Sequence, residues 1–370
     1  MSREVSLVVF EGGLIGGKLE EQMQMVRRGI VLDLIAKARE AGYGRIIAVT
    51  SYPELKAKLQ DVGVEVLLES GGRPFHFGRR LLEAVQYYRL EKVLYVGGAA
   101  APLISSSELQ YIREILEQNE SVLLANNYYS ADIVGFTPGH ALTKISLPAI
   151  DNTLALALSG EGGLRWVPVQ RSLGLNFDVD TPADVLILTV HPDLGPHTKA
   201  AVDELNWDFQ RYASLKELLV DPTGELIIFG RVGSNLFQYL DAHTRCRLRL
   251  FSEERGMKAL GRDERGEVKS LMGRLVEELG SVEFFNFLAQ LAAGAVLDTR
   301  VLFEHFKWRL PAAERFASDL GRLDLITHPE LREFTRAAIE APIPVLLGGH
   351  SLVTGGLWAL IDAGIKRIKF

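Results

Sequence analysis

Along the first 190 residues, short unbroken apolar runs alternate with stretches in which apolar residues recur every three or four positions. The runs SLVVF (6–10), RIIAVT (45–50), VEVLLE (64–69) and KVLYVGG (92–98) have the length and β-branched content of strands buried on both faces. Between them, VLDLIAKAREAG (31–42), PELKAKLQDVG (53–63) and FGRRLLEAVQYYR (77–89) read as helices, with Gly42 and Gly63 where helix C-termini should fall. Strand–helix alternation of this kind predicts an α/β domain with a mostly parallel, Rossmann-like sheet and helices on both faces. A helix over 105–119, strands over 121–129 and 131–139, a helix within 146–160 and a strand at 164–169 continue the pattern.

Near residue 190 the alternation pauses. HPDLGPHTK (191–199) is rich in Pro, Gly and His and suits an interdomain connection. The expected domains are therefore 1–190 and 200–370, the second a smaller α/β domain rich in helix. Its pattern is strand, Gly turn, helix and strand over 225–257, a long helical region over roughly 266–340, and strand, Gly turn and helix over 343–364. In the helical region Phe284, Phe285, Phe287, Leu288 and Leu291 recur at helical spacings. That face is expected to be buried or subunit-facing, the latter in a homo-oligomer.

Composition narrows the classes. A chain of 370 residues suits two domains, and 47% hydrophobic with 24% charged residues is ordinary for a soluble globular protein. A net charge of −6 gives no electrostatic case for nucleic acid or an anionic membrane. No apolar run approaches the ~18 residues of a membrane span. The charged opening MSREVSLVVFEGG leaves no room for a signal sequence, so the expected location is cytoplasmic. The single cysteine, Cys246, excludes an internal disulfide and a thiolate metal cluster, and reads as a packed strand residue.

The first candidate chemistry lies in LNFDVDTPADVLIL (175–188). Alternate residues of an extended chain point to one side, so Asp178 and Asp180 can converge on one point. Thr181, Pro182 and Asp184 form a helix start, with Thr181 as the cap and Pro182 at the first helical position. Capping accounts for the residues from Asp180 to Asp184 and leaves Asp178 without a structural role.

Four motifs now fall in order: FEGGLIGGK (10–18), AREAGYGRIIAVTSYPEL (38–55), KVLYVGGAAAPLISSSEL (92–109) and FDVDTPADV (177–185). Over about residues 4–190 the chain thereby resembles nucleotidyltransferases of the GT-A fold. More narrowly, it is similar to the guanylyltransferases of molybdenum-cofactor and phospholactate chemistry. The resemblance implies that Gly12, Gly13, Gly16, Gly17 and Lys18 hold nucleotide phosphates, and that Asp178 and Asp180 hold Mg²⁺ or Mn²⁺. It further implies a nucleoside triphosphate and a small phosphorylated metabolite as partners, with pyrophosphate released. Departures are plain. The first loop lacks the family's arginine and carries Glu11 and Glu20 nearby, and the family's metal-binding aspartate in the turn after the fourth strand aligns with Ala100. An alanine offers no oxygen to a hard cation. The resemblance therefore leaves two readings, an active nucleotidyltransferase or a degenerate relative that only binds a nucleotide or metabolite.

Other segments offer anion sites. GGRPFHFGRR (71–80) places Arg73, His76, Arg79 and Arg80 at a helix start, as an anion-binding edge or a solvated end. FGRVGSNLF (229–237) follows a strand and opens a helix without the full dinucleotide-binding glycine pattern. In LLGGHSLVTGG (346–356), Gly349-His350-Ser351 has the start of a nucleophile elbow, but Val353 replaces its last glycine and no histidine follows. The amides of Gly348, Gly349 and Ser351 instead suit a phosphate or carboxylate. Should strands 226–229 and 343–347 be neighbours, both loops would share one edge and the active site would lie there.

Overall fold

The computed structural model describes residues 4–13, 16–69, 74–128, 131–258 and 260–368. Two compact units emerge. The first gathers the described residues up to 13 together with 25–176 and 195–200, and the second gathers 16–24, 177–194 and 201–368. The chain thus divides at 176/177 as well as near 195 and 201, and not at one point between 190 and 200. The physical reason is side-chain bonding: Ser351 Oγ donates to Asp178, and His191 Nε2 lies 3.2 Å from Asp362, so 177–194 is tied to the later chain.

The first unit holds strands β1 (Val5–Glu11), β2 (Arg45–Thr50), β3 (Glu65–Leu68), β4 (Lys92–Gly97), β5 (Val122–Ala125), β6 (Ile133–Thr137) and β7 (Trp166–Pro168). They form one sheet in the order β3-β2-β1-β4-β6-β5-β7, with only β6 antiparallel to its neighbours. Alternate residues of β1 show why both faces are apolar. Val5, Leu7 and Val9 join one core with Leu34, Ile35, Leu109 and Ile112, while Val8 and Phe10 join another with Phe77, Leu81 and Leu158. The expected mostly parallel sheet covered on both faces is therefore present. Gly42 and Gly63 end their helices at φ +83° and +71°, which a glycine adopts without steric cost.

The second unit holds β8 (Glu225–Gly230), β9 (Arg247–Ser252), β10 (Gly294–Asp298) and β11 (Val345–Gly348), all parallel, in the order β11-β10-β8-β9. β10 corrects the sequence reading. The region 266–340 is not continuously helical: helices Leu271–Leu279 and Ser281–Leu291 are followed by a five-residue strand. GAVLD is too short to show a period of its own between two helical patterns. Consequently the strands at 226–229 and 343–347 share a sheet but are not neighbours, because β10 lies between them. Phe284, Phe285 and Leu288 are buried within the unit as expected for a core-facing helix. Cys246 is buried directly before β9. No helix among the described residues is long and apolar enough to cross a membrane.

Within the first unit, Asp33 fixes the chain at 195–200. Its carboxylate accepts the backbone N–H groups of His197 (3.1 Å) and Thr198 (2.7 Å) and the Thr198 hydroxyl (2.6 Å), capping the helix Pro196–Asp203 from the helix Lys18–Glu40. Asp33→Ala leaves those buried donors unpaired and is expected to cost about 1–3 kcal/mol. A urea midpoint unchanged from the parent protein would contradict this assignment.

Candidate functional site

Ligands of open α/β sheets bind at the carboxyl ends of the strands, where the strand order reverses. Each unit has such a point. In the first, β1 leads outward to β2 and β3, and the chain then returns to place β4 on the other side of β1. Among the described residues, an acid of the carboxyl edge there is paired within the protein. Glu11, at the end of β1, is buried and paired with Arg27 at 3.0 Å. A Cβ at Gly98 would fall 2.2 Å from a Glu11 carboxylate oxygen, so glycine is obligatory at that position. Burial pushes the Glu11 carboxyl pKa up, opposed by the Arg27 guanidinium. Ala100, in the turn that follows β4, is 5% exposed and packs in an apolar core.

The glycine loop predicted to hold phosphates is partly described. Gly12 lies against Ser51, whose hydroxyl would be 2.7 Å from an added Cβ, and Gly13 has φ +88°. Gly16 and Gly17 are exposed at the start of the helix Lys18–Glu40, and Lys18 is exposed too. The buried Glu20 carboxylate lies under Gly16, and one of its oxygens has no hydrogen-bond partner among the described residues. Arg73 lies outside the described residues. The nearby Arg80 is committed to Glu69, Glu83 and the Leu68 carbonyl, and His76 caps its own helix through Arg79 N.

In the second unit the reversal falls between β8 and β10. β8 ends at Gly230 and is followed by Arg231, β10 ends at Asp298 and is followed by Thr299 and Arg300, and β11 ends at Gly348 and is followed by Gly349, His350 and Ser351. Asp298 is wholly buried and takes a bidentate pair from Arg231 at 2.6 and 3.0 Å. Burial opposes its ionisation, but the Arg231 guanidinium outweighs that and holds the carboxyl below its usual range. Arg300 forms a second bidentate pair with Asp319 and also donates to the Thr299 hydroxyl. Sequence reasoning missed both acids' partners, because it missed β10.

The segment 177–184 belongs to this unit and supplies the acids predicted from sequence. Asp184 organises it: one carboxylate oxygen accepts Asp180 N (3.1 Å), Thr181 N (2.8 Å) and Thr181 Oγ1 (2.9 Å). Together with Asp184 N donating to the Thr181 carbonyl, this closes the predicted helix cap, with Pro182 opening the helix Pro182–Thr189. Asp178, left without a structural role by the sequence, receives the Ser351 hydroxyl at its Oδ1 (2.6 Å) and at its own carbonyl (2.8 Å). Asp178 is half-buried and Asp180 exposed. Burial and the neighbouring Asp180 carboxylate push Asp178 up to about 7. Asp184, fully buried beside both, is also pushed well above the usual carboxylate range, first by burial and then by their charges.

Gly348 and Gly349 are accounted for by packing. A Cβ at Gly348 would meet Ala183 at 2.8 Å and the Leu352 side chain, and one at Gly349 would meet Thr181 at 3.0 Å. These glycines let the turn after β11 approach the Thr181 and Ala183 side chains, and the Ser351 side chain is bonded to Asp178. His350 reaches the surface, yet packing around its ring and the Arg231 guanidinium hold its pKa below the usual imidazole range, opposed by Asp298 and Asp180.

Asp178 and Asp180 supply hard oxygen donors whose mutual repulsion must be neutralised by a proton or a cation, which fits Mg²⁺ or Mn²⁺. A second acidic group, His191, Asp193 and Asp362, has the donor types for a metal. Both imidazole nitrogens there are engaged: Nδ1 accepts Asp193 N, which leaves Nε2 to carry the hydrogen facing Asp362.

No family model and no curated protein matches the chain. Among solved structures it is similar to a cytidylyltransferase from Leptospira borgpetersenii, at 15% identity and a TM-score of 0.40 over 54% of this chain and 92% of that one. A nucleotidyl transferase from Methanothermobacter thermautotroptrophicus is similar at 17% identity and 0.39, over 50% and 96%. A Mycobacterium tuberculosis protein solved as a manganese complex is similar at 19% and 0.34, over 49% and 95%. Each likeness spans nearly the whole neighbour and about half of this chain. At TM-scores below 0.5, none of them bears on activity.

The carboxylate pair makes a pH prediction. With Asp178 raised to about 7 and the unfolded carboxyl at about 4, the native state binds more protons than the unfolded chain between those values. The pair's contribution to stability therefore falls as pH rises from about 4 to about 7. Asp180→Asn removes the facing charge and is expected to shrink the loss of melting temperature between pH 5 and pH 8. A variant with the parent's pH profile would show that the two carboxylates do not interact.

Proposed function

We propose that this chain is a nucleotidyltransferase-like protein that binds a nucleoside triphosphate through one divalent cation held by Asp178 and Asp180. The observation that carries the reading is the pairing of those two acids on one bonded segment, close enough for the Asp180 charge to raise Asp178. The Asp180 backbone N–H is bonded to the Asp184 carboxylate and the Asp178 carboxylate receives Ser351, so the segment that carries both acids is held at each of them. Mg²⁺ or Mn²⁺ at such a pair neutralises triphosphate charge and orients it. In the transfer itself, an acceptor phosphate oxygen would form a bond to the α-phosphorus as the bond to the β-phosphate oxygen breaks and pyrophosphate leaves. The acceptor class is a small phosphorylated metabolite.

A second reading has its own support. Ala100 is buried in an apolar core and Glu11 is locked to Arg27, so the turn after β4 brings no free carboxylate. On that reading the protein binds the nucleotide and metal without turning it over.

The two readings separate in one experiment on the full chain. Melting temperature is followed with each of the four nucleoside triphosphates, with and without Mn²⁺, and pyrophosphate release is assayed with a panel of phosphorylated acceptors. A ligand at ~100 times its Kd stabilises by about 2.7 kcal/mol, a readily measured shift. A metal-dependent shift lost in both Asp178→Asn and Asp180→Asn, with pyrophosphate release, is the expected result. The shift without release favours the binding-only reading. A shift that survives both substitutions contradicts the cation site.

A further inference from the structure

The turn after β11 places a serine hydroxyl on one of the two acids, and this bond does more than close a helix or fill a core. Ser351 is 3% exposed, and among the described residues its hydroxyl donates to Asp178 O and Asp178 Oδ1. Bonding both the main-chain and side-chain oxygen of one residue fixes the side-chain torsions that aim the carboxylate. The remaining oxygen of Asp178 is not used by Ser351. The bond spans 173 residues, so it belongs to the tertiary structure and not to the local cap that holds Asp180. Burial also rules out the elbow-nucleophile alternative: a hydroxyl enclosed in this way and committed to a carboxylate cannot present itself to a substrate.

We propose that Ser351 is the positioning residue of the cation site, orienting Asp178 so that its free oxygen and Asp180 bind one divalent ion. This rests on the reading of Asp178 and Asp180 as a cation-binding pair, and adds the group that sets its geometry. Hydrogen-bond partners of metal-binding carboxylates typically govern affinity by about 10- to 100-fold. The turn after β11 thereby controls a site whose ligands lie in the 177–184 segment. Packing reinforces the arrangement, since a Cβ at Gly348 would fall 2.8 Å from the Ala183 side chain.

The test is a Mn²⁺ titration of the full chain, read by the electron paramagnetic resonance signal of free Mn²⁺, with melting temperature measured alongside. Ser351→Ala is expected to raise the Mn²⁺ Kd about 10-fold or more. Ser318→Ala, which removes a buried hydroxyl bonded to Thr335 at 2.7 Å in the same unit, is the control for lost stability alone. It is expected to lower the melting temperature and leave the Kd unchanged. Ser351→Cys keeps a weak donor of similar size and is expected to fall between Ser351→Ala and the parent, which also serves should the alanine variant not fold. Parent-like Mn²⁺ affinity in Ser351→Ala or Ser351→Cys, while Asp178→Asn abolishes binding, overturns the role of Ser351 alone. Absence of Mn²⁺ binding in the parent, or its survival in Asp178→Asn, overturns the cation pair and the positioning role together.

Discussion

Two carboxylates held beside one another against their own repulsion set the logic of this molecule. Asp178 and Asp180 stand two residues apart on extended chain, and each is tied down by a different part of the fold. Asp180 depends on Asp184, whose buried carboxylate gathers three donors from the 180–181 backbone and the Thr181 hydroxyl. Asp178 depends on Ser351, far along the chain. Leaving two acids so restrained costs free energy, seen in the upward displacement of Asp178 by burial and by its neighbour. Strain of this kind is found where a bound partner relieves it, and a divalent cation is the simplest such partner.

The two reversal points contrast in a way that bears on function. In the first unit Glu11, at the end of β1, is buried in a pair with Arg27 and lies against Gly98 after β4. At β8 and β10 the Arg231–Asp298 pair likewise occupies the floor, but above it stands the exposed His350, near Asp180 in the electrostatic sense. The alternative weighed from sequence, in which the late glycine loops carry the chemistry, survives in altered form: the loops serve the acids by packing against them.

Much of this was legible in the sequence, and the failures are instructive. The apolar runs of β1, β2 and β4 declared themselves because both faces are buried and no polar residue interrupts them. Thr181, Pro182 and Asp184 announced a cap, and the cap is present. β10 was hidden because five residues between helices carry no period, and with it went Asp298 and the partner of Arg231. Gly348 and Gly349 read as anion-binding, and the sequence carried no sign that they also lie against the Ala183 and Thr181 side chains. The partner of Asp178 was out of reach for the same reason: a hydrogen bond across 173 residues leaves no trace in local spacing.

The most direct measurement is anomalous diffraction from crystals of the full chain grown with Mn²⁺ and a nucleoside triphosphate. The account predicts one strong peak bonded to an oxygen of Asp178 and an oxygen of Asp180, with nucleotide phosphate completing its coordination. A peak at His191, Asp193 and Asp362 with none at Asp178 and Asp180 would contradict it.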